Sequence, residues 1–391
     1  MSHLVTIIAG ETSGDLHGAN LARSLLQRRP DIRLLGLGGP AMAEAGVEVV
    51  HDVTAHAAMG FVEAIGSLRA VYRAFRKMVR LLDERRPDAV VLIDYPEFNL
   101  RFARRAHQRG IPVVYYIPPQ LWAWRQWRVR QVAKYVDRLL VIQPFEREFY
   151  ARHGLDATFV GHPLLDALSG IRHDRSFARA LGLPDGRFTL GILPGSRRRE
   201  IDFLLPPMLD AAERIDRELG GISLITAPAP SVSPERYGTW PSRTTLDLQM
   251  FPGRTYDVMA AADLLLVASG TASLEAGLIG TPMIVTYKGT ALSWRIGKLL
   301  VRSIRYCSLV NLAVDREVVP EMLQSKATGP HLANRALAMV RDGELERIAH
   351  ELDSDIRPRF GEPGASDRAA DQVLALLDES SPRPTDPTDL V

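Results

Sequence analysis

The sequence predicts an α/β protein made of two doubly wound, Rossmann-like parallel sheets, and three observations carry that prediction. Short apolar runs alternate with amphipathic stretches of helical period along the first half of the chain, an order that calls for parallel strands joined by crossover helices. A polar interval interrupts the pattern, and a second series of the same kind then begins. The 391 residues, 46% of them hydrophobic, exceed one ordinary domain and suffice to fill two cores.

In the first series the strands are LVTIIAG (from Leu4), RLLGLGG (from Arg33), AVVLID (from Ala89), IPVVYYI (from Ile111) and RLLVIQP (from Arg138). It closes at FVGHPLLDAL, after which SGIRHDRSFARALGLPDGR is polar; FTLGILPGS, ISLITAPA, ADLLLVAS and TPMIVTY then form the second series. The expected organisation is a first domain over residues 1–165 and a second over 166–345. A helical segment, 346–378, is expected to return to the first domain, and the proline-bearing tail 379–391 reads as disordered. Two such sheets facing each other would set their strand C-termini along a shared cleft, where ligands bind in this architecture.

Composition narrows the function classes. Net charge is only +2, yet arginines cluster in RAVYRAFRKMVR (from Arg69), RQWRVRQ (from Arg125) and SRRRE (from Ser196), so local basic patches matter more than the total. Without a dedicated motif they do not suggest nucleic acid binding. Cys307 is the only cysteine, which excludes an intrachain disulfide and a cysteine-cluster metal site. No signal peptide is legible, and Ser269, Gly270, Glu275 and Pro282 break the longest apolar region, so a soluble cytoplasmic protein is expected. The one Asp-x-Asp match, Asp353 to Asp355, reads as a solvated helical face, and HExxH is absent; no metal and no cofactor is expected.

The loops after the strands carry the candidate chemistry. IIAGETSGDLHGANLA passes from a strand through Gly10 and Gly14 into a helix whose expected N-cap is Ser13 or Asp15, a weak anion-binding pattern that lacks GxGxxG spacing. LLLVASGTASLEAGLIGTPMIV is stronger: a strand ends at Ala268, Ser269 to Thr271 offer amides and hydroxyls, and a helix expected from near Ser273 points its positive end at a diphosphate. Glu275, expected in that helix's first turn, would repel a phosphate beside it and suits the vicinal hydroxyls of a ribose one step along a nucleotide. In GILPGSRRREI a strand is expected to end at Pro194-Gly195, Ser196 can bind or cap and Arg197 would neutralise a leaving diphosphate, while Arg198 and Arg199 read as solvated. Asp94 closes the nearly all-apolar AVVLID, where a carboxylate is costly unless paired or working; it is the general-base candidate, with Glu97 and Asn99 in second rank. His17, His56 and His162 could reach the cleft, but lone histidines more often cap or pack.

Taken in order, AGETSGDLHGANL, MGFVEAI, LIDYPEFN, PPQLWAWR, FVGHPL, LPGSRRREI, ASGTASLEAGLIGTPMIVTYK and NLAVDREVVPEMLQ resemble the lipid-A-disaccharide synthases, over Ile7 to about Gln324. The resemblance implies a GT-B glycosyltransferase that joins UDP-2,3-diacylglucosamine to 2,3-diacylglucosamine 1-phosphate, with inversion, no metal and release of UDP. It implies that Asp94 is the base, that Arg197 and Asn311 are polar active-site positions, and that the Ser269 turn with Ser273 and Glu275 faces the donor. The first domain would then be the acceptor side, where Glu11, Ser13, Gly14, Asp15, Met59 and Asn99 are the expected contacts, and the second the donor side.

Four acyl chains need apolar surface. MGFVEAIGSLRAVYRAFRKMVRLL sets Phe61, Ile65 and Tyr72 beside Arg69, Arg73 and Arg76, and ALSWRIGKLLVRSIRY sets Trp294 beside Arg295, Lys298 and Arg302. Both read as basic amphipathic surfaces for an anionic membrane, though core-facing helices with solvated arginines have the same pattern. The expected location is the inner face of the cytoplasmic membrane, with a homodimer allowed. Three other readings share parts of this pattern: a UDP-sugar epimerase, another membrane-associated UDP-sugar glycosyltransferase, and a non-catalytic module binding UDP or lipid.

Overall fold

The computed structural model describes residues 3–52, 64–290 and 305–380. The chain divides into two compact units, one drawn from residues up to Pro163 and from Glu362 onward, the other from Leu164–Gly361.

The first unit is a parallel sheet of β1 (Leu4–Ala9), β2 (Arg33–Gly38), β3 (Glu48–Asp52), β4 (Ala89–Ile93), β5 (Val113–Tyr116), β6 (Arg138–Val141) and β7 (Thr158–Phe159), in the order β3-β2-β1-β4-β5-β6-β7. Every residue of β4 is buried, as a strand covered on both faces requires. One face packs on α1 (Thr12–Arg28) and on α7 (Ala365–Ser380), the C-terminal helix that completes this unit's core. The other face packs on α3 (Ala64–Arg85) and α4 (Pro96–His107). α7 runs to Ser380, two residues into the segment read from sequence as tail, and Glu379 pairs with Arg138.

The second unit is also parallel: β8 (Phe188–Leu193), β9 (Ile222–Thr226), β10 (Leu248–Met250), β11 (Leu264–Ala268), β12 (Met283–Tyr287) and β13 (Glu321–Leu323), ordered β10-β9-β8-β11-β12-β13. Its core is one continuous cluster that includes the inner face of α5 (Arg198–Leu219).

In each sheet the strand order reverses once, between β1 and β4 and again between β8 and β11. A reversal sends the flanking crossovers to opposite faces and leaves a crevice at the strand C-termini, the usual ligand position in open α/β sheets. Ala9 pairs with Ile93 and Leu193 with Val267, so Gly10 and Asp94 leave one reversal point while Pro194 and Ala268 lead out of the other.

Candidate functional site

At the second unit's reversal point the turns leaving β8 and β11 line a cavity of about 670 Å³, with Tyr256 and Glu275 on its wall. Gly195 has φ of +109°, a region L side chains rarely adopt, and it stands against Glu200. Gly270 is the N-cap of α6 (Thr271–Ile279) and supplies no side-chain cap; its carbonyl takes the Ser273 amide, so the Thr271 and Ala272 amides are left for another acceptor beside the cavity. The helix starts at Thr271, two residues before the expected Ser273, because Gly270 turns the chain straight out of the strand end. Glu275 therefore lies in the second turn, not the first, which moves its charge away from an anion held at the N-terminus.

Glu275 is half-buried, and Tyr256 Oη donates to its Oε1 at 3.0 Å. Burial raises the Glu275 pKa and the Tyr256 hydrogen bond opposes that rise. Oε2 has no protein partner among the described residues, so one oxygen is fixed and the other is open for a ligand donor. Arg197 lines the same cavity as the N-cap of α5; its Nη1 lies 3.1 Å from Glu200 Oε1 and its side chain is 83% exposed. Arg198 and Arg199 are exposed.

Two residues expected to touch the donor have their side-chain polar groups engaged within the protein. Ser273 is fully buried and its hydroxyl donates to Gly270 O at 2.7 Å, so it shapes the turn. Asn311 is also fully buried: Nδ2 donates to Val319 O and Glu321 Oε1, and Oδ1 accepts from the Val318 and Val319 amides. That exhausts its amide group. Glu321 also accepts from the Cys307 and Ser308 amides, and Ser269 Oγ donates to Cys307 O at 3.1 Å. Asn311 and Glu321 thus support the loop on which the Ser269 turn rests.

At the first unit's reversal point, Asp94 and Tyr95 are consecutive left-handed residues, each with φ of +46°. That conformation costs an L residue about 1–2 kcal/mol, so neighbours must hold it. Asp94 N donates to Ile117 O, while Asp94 O accepts from Asn99 Nδ2 at 2.7 Å and Tyr115 Oη at 2.8 Å. The Tyr95 ring stacks on Phe98 and occupies the space a Cβ on Gly10 would need. Asp94 itself is half-buried; burial is the main cause of its raised pKa, the charge of Glu11 adds to it, and the Tyr95 amide opposes it. A carboxylate made more basic and held at a sheet's reversal point has the properties of a general base.

The other residues expected on this side separate into distinct roles. Glu11, the N-cap of α1 in place of Ser13 or Asp15, is exposed, as is Ser13. Gly14 is buried in the first turn of α1 against Ala9. Asp15 is not a surface contact: it is 3% exposed and its carboxylate accepts from the Gly39, Ala41 and Met42 amides, capping α2 (Pro40–Glu44). Asn99, expected to touch substrate, is fully buried with its amide hydrogens on Ile93 O and Asp94 O, which makes it a positioning residue. Burial lowers His17 to a pKa of about 4, and burial plus the neighbouring His17 lowers His162 to about 3. Both are neutral at pH 7.

Met59 and Phe61, together with His56, Trp294, Arg295, Lys298 and Arg302, lie outside the described residues. Ile65 and Arg69 fall within α3 without described side chains; Tyr72, Arg73 and Arg76 are exposed on it. Among the described residues no three His, Cys, Asp or Glu side chains gather where a metal could sit, and no helix is long and apolar enough to cross a membrane.

A family model described as lipid-A-disaccharide synthetase matches residues 5–372. The lipid-A-disaccharide synthase of Syntrophus aciditrophicus is 40% identical over 384 residues, 97% of this chain and 99% of that protein. This chain belongs to the lipid-A-disaccharide synthase family. A lipid-A-disaccharide synthase is a glycosyltransferase of lipid A biosynthesis, and the two sheets agree with the GT-B layout the resemblance implied. Among solved structures, the UDP-GlcNAc 2-epimerase of Neisseria meningitidis bound to UDP-GlcNAc superposes with a TM-score of 0.63 at 13% identity, covering 95% of this chain and 100% of that one. MurG of Acinetobacter baumannii gives 0.59 at 13%, covering 96% and 100%. At such identity these likenesses concern fold alone.

For a lipid-A-disaccharide synthase the sequence reading missed Tyr256, Tyr115 and Glu321. Tyr256 orients Glu275 from 19 residues away, across the fold. Tyr115 lies inside the apolar β5 and reads as core. Glu321 lies inside the recognised NLAVDREVVPEMLQ, whose Asn311 drew attention first.

Proposed function

We propose that this enzyme transfers the diacylglucosaminyl group of UDP-2,3-diacylglucosamine to the 6-hydroxyl of 2,3-diacylglucosamine 1-phosphate, forming a β-1,6 disaccharide 1-phosphate and UDP. The observation that carries the reading is the pair of strand-reversal crevices with unlike contents. One presents uncapped helix amides with a carboxylate a turn further on, complementary to a nucleoside diphosphate; the other presents a half-buried carboxylate made more basic by burial and by the charge of Glu11.

The Ser269 to Thr271 turn and the α6 amides take the diphosphate, and Glu275 Oε2 accepts from the ribose hydroxyls. Arg197, released from Glu200, adds its guanidinium to the leaving phosphate. Asp94 takes the proton of the acceptor's 6-hydroxyl as that oxygen bonds to the anomeric carbon, and the bond to UDP breaks on the opposite face. A single displacement inverts the anomeric centre. Amides and Arg197 carry the leaving-group charge, so the reaction runs without a divalent ion. Because both substrates are acylated, the enzyme works peripherally on the inner face of the cytoplasmic membrane, with the arginines of α3 toward anionic lipid.

The test is UDP release from UDP-2,3-diacylglucosamine in EDTA, with and without 2,3-diacylglucosamine 1-phosphate, and the lipid product identified by mass. Acceptor-dependent UDP and a disaccharide phosphate are expected. A sugar nucleotide rearranged without acceptor, or UDP bound with no product, overturns the proposal.

A further inference from the structure

The large hydrophobic side chains exposed among the described residues are Leu16, Val71, Tyr72, Trp124 and Trp127, all in the first unit. The two tryptophans, 42% and 62% exposed, stand in the loop after β5, which neighbours the Asp94 strand. This loop is built, not loosely packed. Trp122 is buried with Nε1 donating to Glu146, whose carboxylate also accepts from the Ile142 and Gln143 amides. Two residues on, Trp124 faces outward beneath the Arg125 guanidinium at 4.4 Å, and Trp127 lies beneath Arg128 at 5.5 Å. Glu97, in the first turn of α4, holds both guanidinium groups, at 2.5 and 2.8 Å. One carboxylate therefore fixes two arginines, and each covers an indole.

Indoles capped by arginine and left open to solvent have an apolar body, a polar rim and positive charge, the combination that favours the headgroup layer of an anionic bilayer. The surroundings match in charge. α3 packs beside α4 through Phe75 on Phe98 and exposes Val71 and Tyr72 with Arg73, Arg76 and Arg80, none of which makes an ion pair with a described residue. We propose that Trp124 and Trp127 form an interfacial wedge that seats the enzyme on anionic lipid beside Asp94. This deepens the peripheral-membrane reading above and rests on it.

The experiment is flotation of the full chain with vesicles of phosphatidylcholine alone or mixed with phosphatidylglycerol. It compares wild type, Trp124→Ala/Trp127→Ala, Trp124→Phe/Trp127→Phe and Arg73→Glu/Arg76→Glu/Arg80→Glu, each checked by thermal melt. Trp122 is kept throughout. Wild type should float with the anionic vesicles, the double alanine variant should lose roughly tenfold or more of that partition, and the phenylalanine variant should keep most of it. The single Trp127→Ala variant should lose part of it, which covers misfolding of the double variant. If wild type floats and the double alanine variant floats equally, the wedge is wrong while the membrane reading stands, the more so if the α3 variant loses binding. If wild type does not float with anionic vesicles, the membrane reading falls and the wedge with it.

Discussion

The two units share a topology and differ in what they place at its reversal point. The second unit exposes no large hydrophobic side chain among its described residues and lines a cavity with turn amides and hydroxyls, the Arg197 guanidinium and the Glu275 carboxylate fixed by Tyr256, between apolar residues such as Leu193 and Ala229. The first holds a carboxylate on a strained strand end and carries every exposed large hydrophobic found among the described residues. The contrast suits the two halves of a lipid glycosyl transfer: a nucleotide is polar and needs a prebuilt cradle, while an acylated acceptor comes from an apolar phase to a base near the surface.

The comparison makes predictions that separate turnover from donor binding. Asp94→Asn, close in shape but unable to take the proton, should lower turnover by roughly 100-fold or more, measured as UDP release at saturating substrates. Glu275→Ala should act on the other side, weakening UDP binding by roughly 10- to 100-fold through loss of a charged hydrogen-bond acceptor; Tyr256→Phe should cost roughly fivefold, both read by calorimetry. The two buried asparagines sharpen the contrast further. Asn99→Ala frees Asp94 O and should reduce turnover roughly tenfold with UDP affinity kept, whereas Asn311→Ala loosens the loop under Ser269 and should reduce UDP affinity by a similar factor.

Glu11→Gln should give the smallest effect, seen in the pH profile of kcat/KM. As the proposed base Asp94 would work deprotonated, so activity is expected above its raised pKa and should be lost as pH falls through it. Removing the Glu11 charge removes one cause of that rise, and the acid limb should move to lower pH. An unmoved limb would mean that Glu11 does not act on the base.

Central strands were legible in the sequence because burial on both faces writes them as uninterrupted apolar runs; β4 and β11 are the clearest. β3, β7, β10 and β13 were missed, since these short, partly exposed edge strands carry no such run, as in EVVHD and EML. Reading of the site divided along similar lines. Asp94, Ser269 to Thr271 and Arg197 lie in the turns that leave strand ends, where local sequence dictates position. Asp15, Ser273, Asn99 and Asn311 belong to polar residue types that suit ligands, but they are spent on backbone groups, and that choice is made by the fold around them. Trp122 and Trp124 are indistinguishable in PPQLWAWR, yet one is buried on Glu146 and the other faces solvent.

The central claim is that donor binding and proton removal reside in different units. It is tested most directly by titrating UDP into the Asp94→Asn protein. An affinity within about twofold of wild type, in a variant whose turnover has collapsed, is the predicted result. An affinity that falls by the same factor as turnover would place Asp94 in the donor site and contradict the account.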